Sequence, residues 1–305
     1  MKEVNERGKR MKYLSVNEIA KQWKISERSV RNYCANGRVP GAFLKGKTWN
    51  IPADAIKPDR INKKREGNNT LKDILKSEKR KNYSGGIYHK TQFELTYHSN
   101  RLEGNPLTYD QIMYILDTNT IEVTNVALNV DDVVETMNHF RCVDMIIEHV
   151  NATLSETFIK SLHTLLKSGS SDSRKDWFEI GDYKKAQNKN GEILTVLPED
   201  VPLEMKKLIL EYNMIESKTL DDILEFHVRF ERIHPFQDGN GRIGRLIIFK
   251  ECLKYKIIPF IVESNQKSNY YKGMNEWDRN KDYLKKICMM DQDKYKSYLD
   301  YFRIG

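Results

Sequence analysis

Residues 226–253 read FHVRFERIHPFQDGNGRIGRLIIFKECL, and this segment constrains the fold more than any other. An apolar helical pattern stands on each side of a polar loop that runs from His234 to Gly241. Gly239 and Gly241 let backbone N–H groups approach an anion closely. The helix that follows presents its N-terminus to the same point, with unpaired N–H groups and the positive end of its dipole. Arg242 and Arg245 lie three apart on that helix and share a face, so two guanidiniums can clamp successive phosphates. Asp238 supplies a hard carboxylate oxygen suited to Mg2+. His234 stands at the start of the loop, where a near-neutral base can take a proton from a hydroxyl. Each piece alone is weak: a lone GNG is usually a turn, and a lone histidine is usually structural. Held together between two helices, they read as a phosphate site.

The chain around this loop is mainly helical. Residues 135–150 put Met137, Phe140, Val143, Ile147 and Val150 on one stripe, and residues 156–169 do the same with Phe158, Leu162 and Leu165 before stopping at Gly169. Pro202 opens a helix running to Tyr212, and Asp221 and Asp222 open another through Phe230. Asn190-Gly191 sits before a short β-prone run, which is a hairpin signal. No apolar run approaches the roughly 20 residues that cross a bilayer. The first residues, MKEVNERGKRMKYL, lack the apolar stretch of a signal peptide, so a soluble cytoplasmic chain is expected, with no membrane partner. Cys34, Cys142, Cys252 and Cys288 are far apart and form no CxxC pair, which points to buried free thiols.

Charge divides the chain. Residues 1–82 hold 22 Lys/Arg against 9 Asp/Glu, a net +13, whereas the remainder carries −5. A basic arm on a mildly acidic body implies different partners for the two parts. Within the arm, residues 12–57 are compact and turn-rich. Ser15 caps a first helix that turns Ile19, Ala20 and Trp23 inward; Ser26 caps a second with Val30, Tyr33 and Cys34 inward. Arg28, Arg31 and Asn32 project from the second helix. Phe43 to Trp49, with Lys45 and Lys47, reads as a hairpin wing. This module resembles the MerR/excisionase-type winged helix-turn-helix. The resemblance implies a major-groove role for Arg28, Arg31 and Asn32, and phosphate contacts from Lys45 and Lys47. The bland alternative is a protein-docking module with a solvated basic face. Residues 58–87 read as a basic linker with a short helix around Leu71–Leu75.

HPFQDGNGRIGR also resembles the Fic-family signature HxFx(D/E)GNGRxxR at all eight defining positions: His234, Phe236, Asp238, Gly239, Asn240, Gly241, Arg242 and Arg245. Gly181-Asp182-Tyr183-Lys184 is similar to the lead into that family's β-hairpin flap. Residues 258–277 are similar to the stretch after its motif. The resemblance spans about residues 88–300. It implies a mainly α Fic domain at 88–305 with a β-hairpin flap around Asn188–Leu194, preceded by the small winged module. It implies transfer of AMP from ATP to a Ser, Thr or Tyr hydroxyl of a protein, itself included. His234 would be the general base, Phe236 the loop's anchor in the core, and Asp238 the Mg2+ ligand. Gly239, Asn240 and Gly241 would form the anion hole, with Asn240 on the α-phosphate, and Arg242 and Arg245 would bind the other phosphates. Asn190, Gly191, Glu192 and Ile193 of the flap, Ile243 and Gly244 after the loop, and the Tyr270-Tyr271 pair would complete the nucleotide site. The flap would align the target by strand addition.

YHSNRLEGNPLT (97–108) reads by itself as a helix end with a surface glutamate, stopped by Gly104 and Pro106. It also resembles the Fic inhibitory motif (S/T)xxxE(G/N), through Ser99, Glu103 and Gly104. That resemblance implies a helix at about 92–104 whose Glu103 pairs with Arg245 and diverts it from the γ-phosphate, a carboxylate competing with a phosphate for one guanidinium. Two other readings stand beside the autoinhibited enzyme: a DNA-binding regulator whose helical domain senses nucleotide, and a toxin-like component of a toxin–antitoxin system. The target, the operator, self-association and removal of the modification are not legible from the sequence.

Overall fold

The computed structural model describes residues 12–35, 38–46, 48–58, 70–121, 127–190 and 193–304. These form two compact units divided near residue 67. In the first, β1 (Tyr13–Leu14) leads into α1 (Val16–Trp23), α2 (Glu27–Ala35), β2 (Phe43–Lys45) and β3 (Thr48–Pro52). Ser15 and Glu18 cap α1 reciprocally: Ser15 N–H donates to the Glu18 carboxylate at 2.8 Å, and the Ser15 hydroxyl accepts from Glu18 N–H. Ser29 N–H donates to Ser26 Oγ at 3.2 Å, as the expected cap requires. Ile19, Val30 and Ile51 are fully buried between the two helices and a three-stranded antiparallel sheet in which β3 is central. Arg28, Arg31 and Asn32 face outward, and Arg31 pairs with Glu27 at 2.7 Å. Lys47 lies outside the described residues.

The second unit is mainly helical: α3 (Leu71–Arg80), α4 (Ile87–Leu102), α5 (Tyr109–Thr118), α6 (Val130–Glu148), α7 (Glu156–Lys167), α8 (Val201–Met214), α9 (Leu220–Ile233), α10 (Asn240–Lys254), α11 (Lys267–Asn275) and α12 (Lys281–Phe302). One hairpin, β4 (Lys189–Asn190) with β5 (Ile193–Leu194), interrupts the helices and pairs Asn190 with Ile193. Helix α4 packs on α6, α6 on α7, and α9 and α10 pack together around the polar loop that joins them. Phe230, Phe236, Ile243, Leu246 and Phe249 are all fully buried in the shared core.

Two expectations are corrected. The helix expected around Leu71–Leu75 within a linker through residue 87 is α3, which is longer, is capped by Thr70 with Asp73 and belongs to the second unit. Leu75 is fully buried in the core of the second unit, so the charged residues of α3 are its solvent face rather than a spacer. Residues 59–69 of that segment lie outside the described residues. Second, α7 turns Ile159, Leu162, His163 and Leu166 fully inward, while Phe158 and Leu165 are only partly covered. The apolar stripe misplaced the inward face because it ignored His163 and Lys167, two polar residues that are buried.

Four buried thiols, Cys34, Cys142, Cys252 and Cys288, are free. Among the described residues, no helix is long and apolar enough to cross a membrane.

Candidate active site

The loop between α9 and α10 is shaped by two left-handed residues. His234 (φ 51°) ends α9, its N–H donating to Phe230 O at 2.9 Å. Gly239 (φ 82°) starts α10, and a Cβ there would also press on Leu166. Between them, Phe236 is fully buried, its ring stacked 4.0 Å from His163 at an interplanar angle of 5°. His163 was not read from the sequence. Its Nδ1 accepts from Gly181 N–H at 2.9 Å, which leaves Nε2–H to donate to Asp238 O at 3.2 Å. One neutral imidazole thus ties the lead into the flap to the loop. Burial first, then the charge of Lys167, lower its pKa to about 4.

Asn240 differs from expectation. Its side chain accepts from Phe236 N–H and donates to Phe236 O, both at 2.8 Å, and it is almost fully buried. It locks the loop, and its backbone N–H is among those that the first turn of α10 leaves unpaired. Ile243 and Gly244 are both buried. Ile243 lies in the core, and Gly244 backs onto His227 and Glu231. Both follow the inward side of α10 at helical spacing. Tyr270 is fully buried and bonded to His227, whereas Tyr271 reaches Arg245. Gly191 and Glu192, together with the side chains of Asn190 and Ile193, lie outside what is described.

The two arginines have separate partners. Arg242 is buried and paired with Glu135 and, at 3.1 Å, with Asp238 Oδ2. Lys167, its side chain 1% exposed, pairs with Glu135, with Asp172 at 2.6 Å and with Asp238 Oδ2 at 2.8 Å. The three carboxylates offer oxygens within 4.8 Å of one another, with the ammonium among them. Glu135, Lys167 and Asp172 were not anticipated, because residues far apart in sequence carry no local signal. Burial acts to raise the Asp238 carboxyl, but Arg242 and Lys167 outweigh it and hold it well below the usual carboxylate range. At 53% exposure, the Asp238 side chain is also the one of the three that opens to the cleft.

Arg245 is 3% exposed. Its Nε donates to Ser99 Oγ at 2.9 Å, and its Nη2 donates to Ser99 O at 3.0 Å and to Glu103 Oε1 at 2.6 Å. The Glu103 oxygen lies so close over Gly241 that a Cβ there would collide with it. A carboxylate therefore sits against the first turn of α10, where Asn240, Gly241 and Arg242 have N–H groups that the helix itself cannot pair. Burial acts to raise the Glu103 carboxyl; Arg245 outweighs it and holds it below the usual value. The end of α4 is fastened to α6: Thr96 to His139 at 2.9 Å, and Asn100 and Asn105 to Thr136 Oγ1 at 3.1 and 3.3 Å. Gly104 (φ 93°) then turns the chain away.

His234 faces the same cleft. Its Nδ1 lies 3.3 Å from Glu231 O, so this nitrogen carries the hydrogen and Nε2 keeps the lone pair. Burial is the main cause of a lowered imidazole pKa, and Lys184 adds to it. The imidazole is therefore neutral at pH 7.

The helical domain holds an anion at a glycine-opened helix N-terminus, with a neutral histidine at the rim and a hairpin alongside, and such an arrangement can seat a phosphate. Residues 153–251 match the family model described as "Fic/DOC family". It is similar to "Protein adenylyltransferase Fic" from Drosophila sechellia, 28% identical over 193 residues covering 61% of this chain and 38% of the relative. The Drosophila grimshawi protein of the same name is 28% identical over 197 residues, covering 61% of this chain and 38% of that relative. The chain thus spans under two-fifths of the length of these relatives. Among solved structures, the fold is similar to a Fic domain containing signaling protein from Bacteroides thetaiotaomicron, with a TM-score of 0.60, 24% identity, and coverage of 75% of this chain and 94% of that one. It is also similar to a Fic family protein from Desulfovibrio desulfuricans, with a TM-score of 0.58, 22% identity, and coverage of 75% of this chain and 72% of that one.

Proposed function

We propose that this chain is an autoinhibited protein adenylyltransferase that moves AMP from ATP to a hydroxyl of a protein, itself included. The observation that carries this reading is the seat at the start of α10: an anion-binding helix end and a buried arginine, occupied by Glu103 and placed beside a neutral histidine. With Glu103 withdrawn, the N–H groups at Asn240–Arg242 and the Arg245 guanidinium would receive the triphosphate. His234 Nε2 would accept the proton of the incoming Ser, Thr or Tyr hydroxyl. The hydroxyl oxygen would then bond to the α-phosphorus as the bond to the leaving pyrophosphate breaks. The hairpin at 189–194 would add its edge to the target backbone.

The donor set fits one Mg2+ at Asp238, an ionised hard-oxygen ligand open to the cleft; beside it, Glu135 is already paired with Arg242 and Lys167, and Asp172 with Lys167. Bound there, the ion would neutralise phosphate charge. Labelled ATP with the purified chain and a cell lysate tests the reading: label must transfer to protein, and His234→Ala must abolish it. Equal background in both would favour a nucleotide-sensing regulator.

The first unit supports a second role. Arg28, Arg31 and Asn32 lie exposed on one helix, and Lys45 is exposed on the neighbouring strand. We read this as a winged helix-turn-helix that binds DNA. A gel-shift series against salt tests it, and absent or salt-insensitive binding would sink it.

A further inference from the structure

Lys184 is a buried cation that the chemistry above does not use. Its side chain follows Gly181-Asp182-Tyr183, and the residue is 3% exposed. Its ammonium donates to Asn188 Oδ1 at 2.7 Å, to Thr195 Oγ1 at 2.6 Å and to Ile233 O at 3.2 Å. Those acceptors come from three places: just before β4, just after β5, and the last residue of α9. Among the described residues, no carboxylate pairs with it. An ammonium removed from water at this depth is costly unless each N–H finds an acceptor, and here three dipoles supply them. Ile233 O belongs to the negative end of α9, which suits a cation.

The neighbouring bonds run the same way. Lys184 N–H donates to Pro235 O at 2.9 Å, and Asn188 Nδ2 donates to Phe236 O at 2.8 Å. Thr195 Oγ1 lies within hydrogen-bonding distance of both oxygens of Asn188, its carbonyl at 3.1 Å and its Oδ1 at 2.5 Å. Carbonyls of residues 233, 235 and 236 are therefore all held from the flap side. His234, in its left-handed conformation, sits between the first two of them.

We propose that Lys184 is a positioning residue for His234: its ammonium bolts both ends of the flap to the last turn of α9, fixing the flap's register and the backbone from which the histidine acts. The inference rests on the transferase reading for its purpose, but not for its geometry. Burial pushes the Lys184 pKa down to about 8, so it is still charged at neutral pH. That charge disfavours a proton on His234. The other groups facing the imidazole are Glu231 from α9, Glu103 from the end of α4 and Asp238 from the loop.

The test uses the full chain labelled with 13C-histidine, with His234→Ala to assign the signal. In wild type, His234 titrates below the ordinary value near ~6.5. Lys184→Met and Lys184→Gln raise its midpoint by about 0.5–1 pH unit, and Lys184→Arg, which keeps the charge, does not. Amide exchange across residues 188–195 speeds up by about tenfold in Lys184→Met, and less in Lys184→Gln, which can still donate to Ile233 O. Should Lys184→Met fail to fold, Lys184→Gln decides. An unmoved His234 titration together with unchanged flap exchange in a folded charge-less variant overturns the proposal. Neither readout needs transfer activity. A chain that couples Lys184 to His234 yet moves no AMP sinks the transferase reading alone; one that moves AMP without the coupling sinks this inference alone.

Discussion

Replacing Glu103 by glycine removes the anion that fills the seat at the start of α10, and the structure sets the size of the effect. Glu103 Oε1 accepts one short charge-assisted bond from Arg245 Nη2, at 2.6 Å. Such a bond is worth about 1.5–3 kcal/mol, and a charge at a helix N-terminus adds about 0.3–1 kcal/mol. A third of the Glu103 side chain meets solvent, which weakens the pair and favours the lower half of that range. A nucleotide that must displace Glu103 is thus handicapped by about 2–3 kcal/mol, close to a hundredfold in productive binding at ~1.4 kcal/mol per tenfold. Transfer from labelled ATP should therefore rise by about 10²-fold in Glu103→Gly. Stability should move the other way. Arg245 loses one partner but keeps Ser99 Oγ and Ser99 O, so unfolding by urea should cost only about 1–2 kcal/mol less, and ATP should restore part of it. A transfer rate within about threefold of wild type, in a variant that folds and still needs His234, would refute the argument that the carboxylate holds the seat.

Three further outcomes follow from other parts of the molecule. Because His234 has a lowered pKa and must be neutral to accept a proton, the rate of Glu103→Gly should fall only as pH drops through a midpoint below ~6.5; a midpoint at or above ~7 in kcat/KM would contradict this. Asp291 is buried, its Oδ2 has no hydrogen-bond partner among the described residues, and its pKa is raised to about 7, so the folded state holds a proton that the unfolded chain gives up near ~4. Stability is then lost as pH rises from about 4 to 7, and Asp291→Asn should gain about 2–4 kcal/mol in urea melts at pH 8 and nothing at pH 3. Leu75→Ala should cost about 2–5 kcal/mol in the second unit, whereas a residue in a true spacer would cost nothing measurable.

The loop was legible in the sequence because its chemistry is local. His234, Asp238, Gly239, Gly241 and Arg245 lie within one turn–helix unit, and spacing alone puts them together. Pairing Glu103 with Arg245 needed a resemblance, since nothing in RLEGNPLT says that its glutamate reaches a residue 142 positions away. The supports were invisible for a different reason. Lys167, Glu135 and Lys184 are charged residues for which the sequence indicates no partner, and burial of a charge is set by tertiary partners rather than by periodicity. Asn240 and Tyr270 show the reverse case. Polar atoms that look free to meet a ligand are used up inside, on Phe236 and His227. The boundary at α3 slipped because a single buried leucine among lysines is too thin a pattern to outweigh charge.

The fastening of α4 to α6 has a consequence for how the protein is made. Glu103 and the bonds that fasten α4 to α6, from Thr96 to His139, precede Asn240 and Arg245 in the chain, whereas Ser264 and Lys267, which also hold α4, follow them. A chain synthesised from its N-terminus exposes α4, α5 and α6 before the α10 segment exists, and early elements can associate as they emerge. When Arg245 leaves the ribosome, its carboxylate partner is already waiting. If the proposed function holds, a newly made molecule would meet its brake before its substrate, and activity would have to be released rather than restrained.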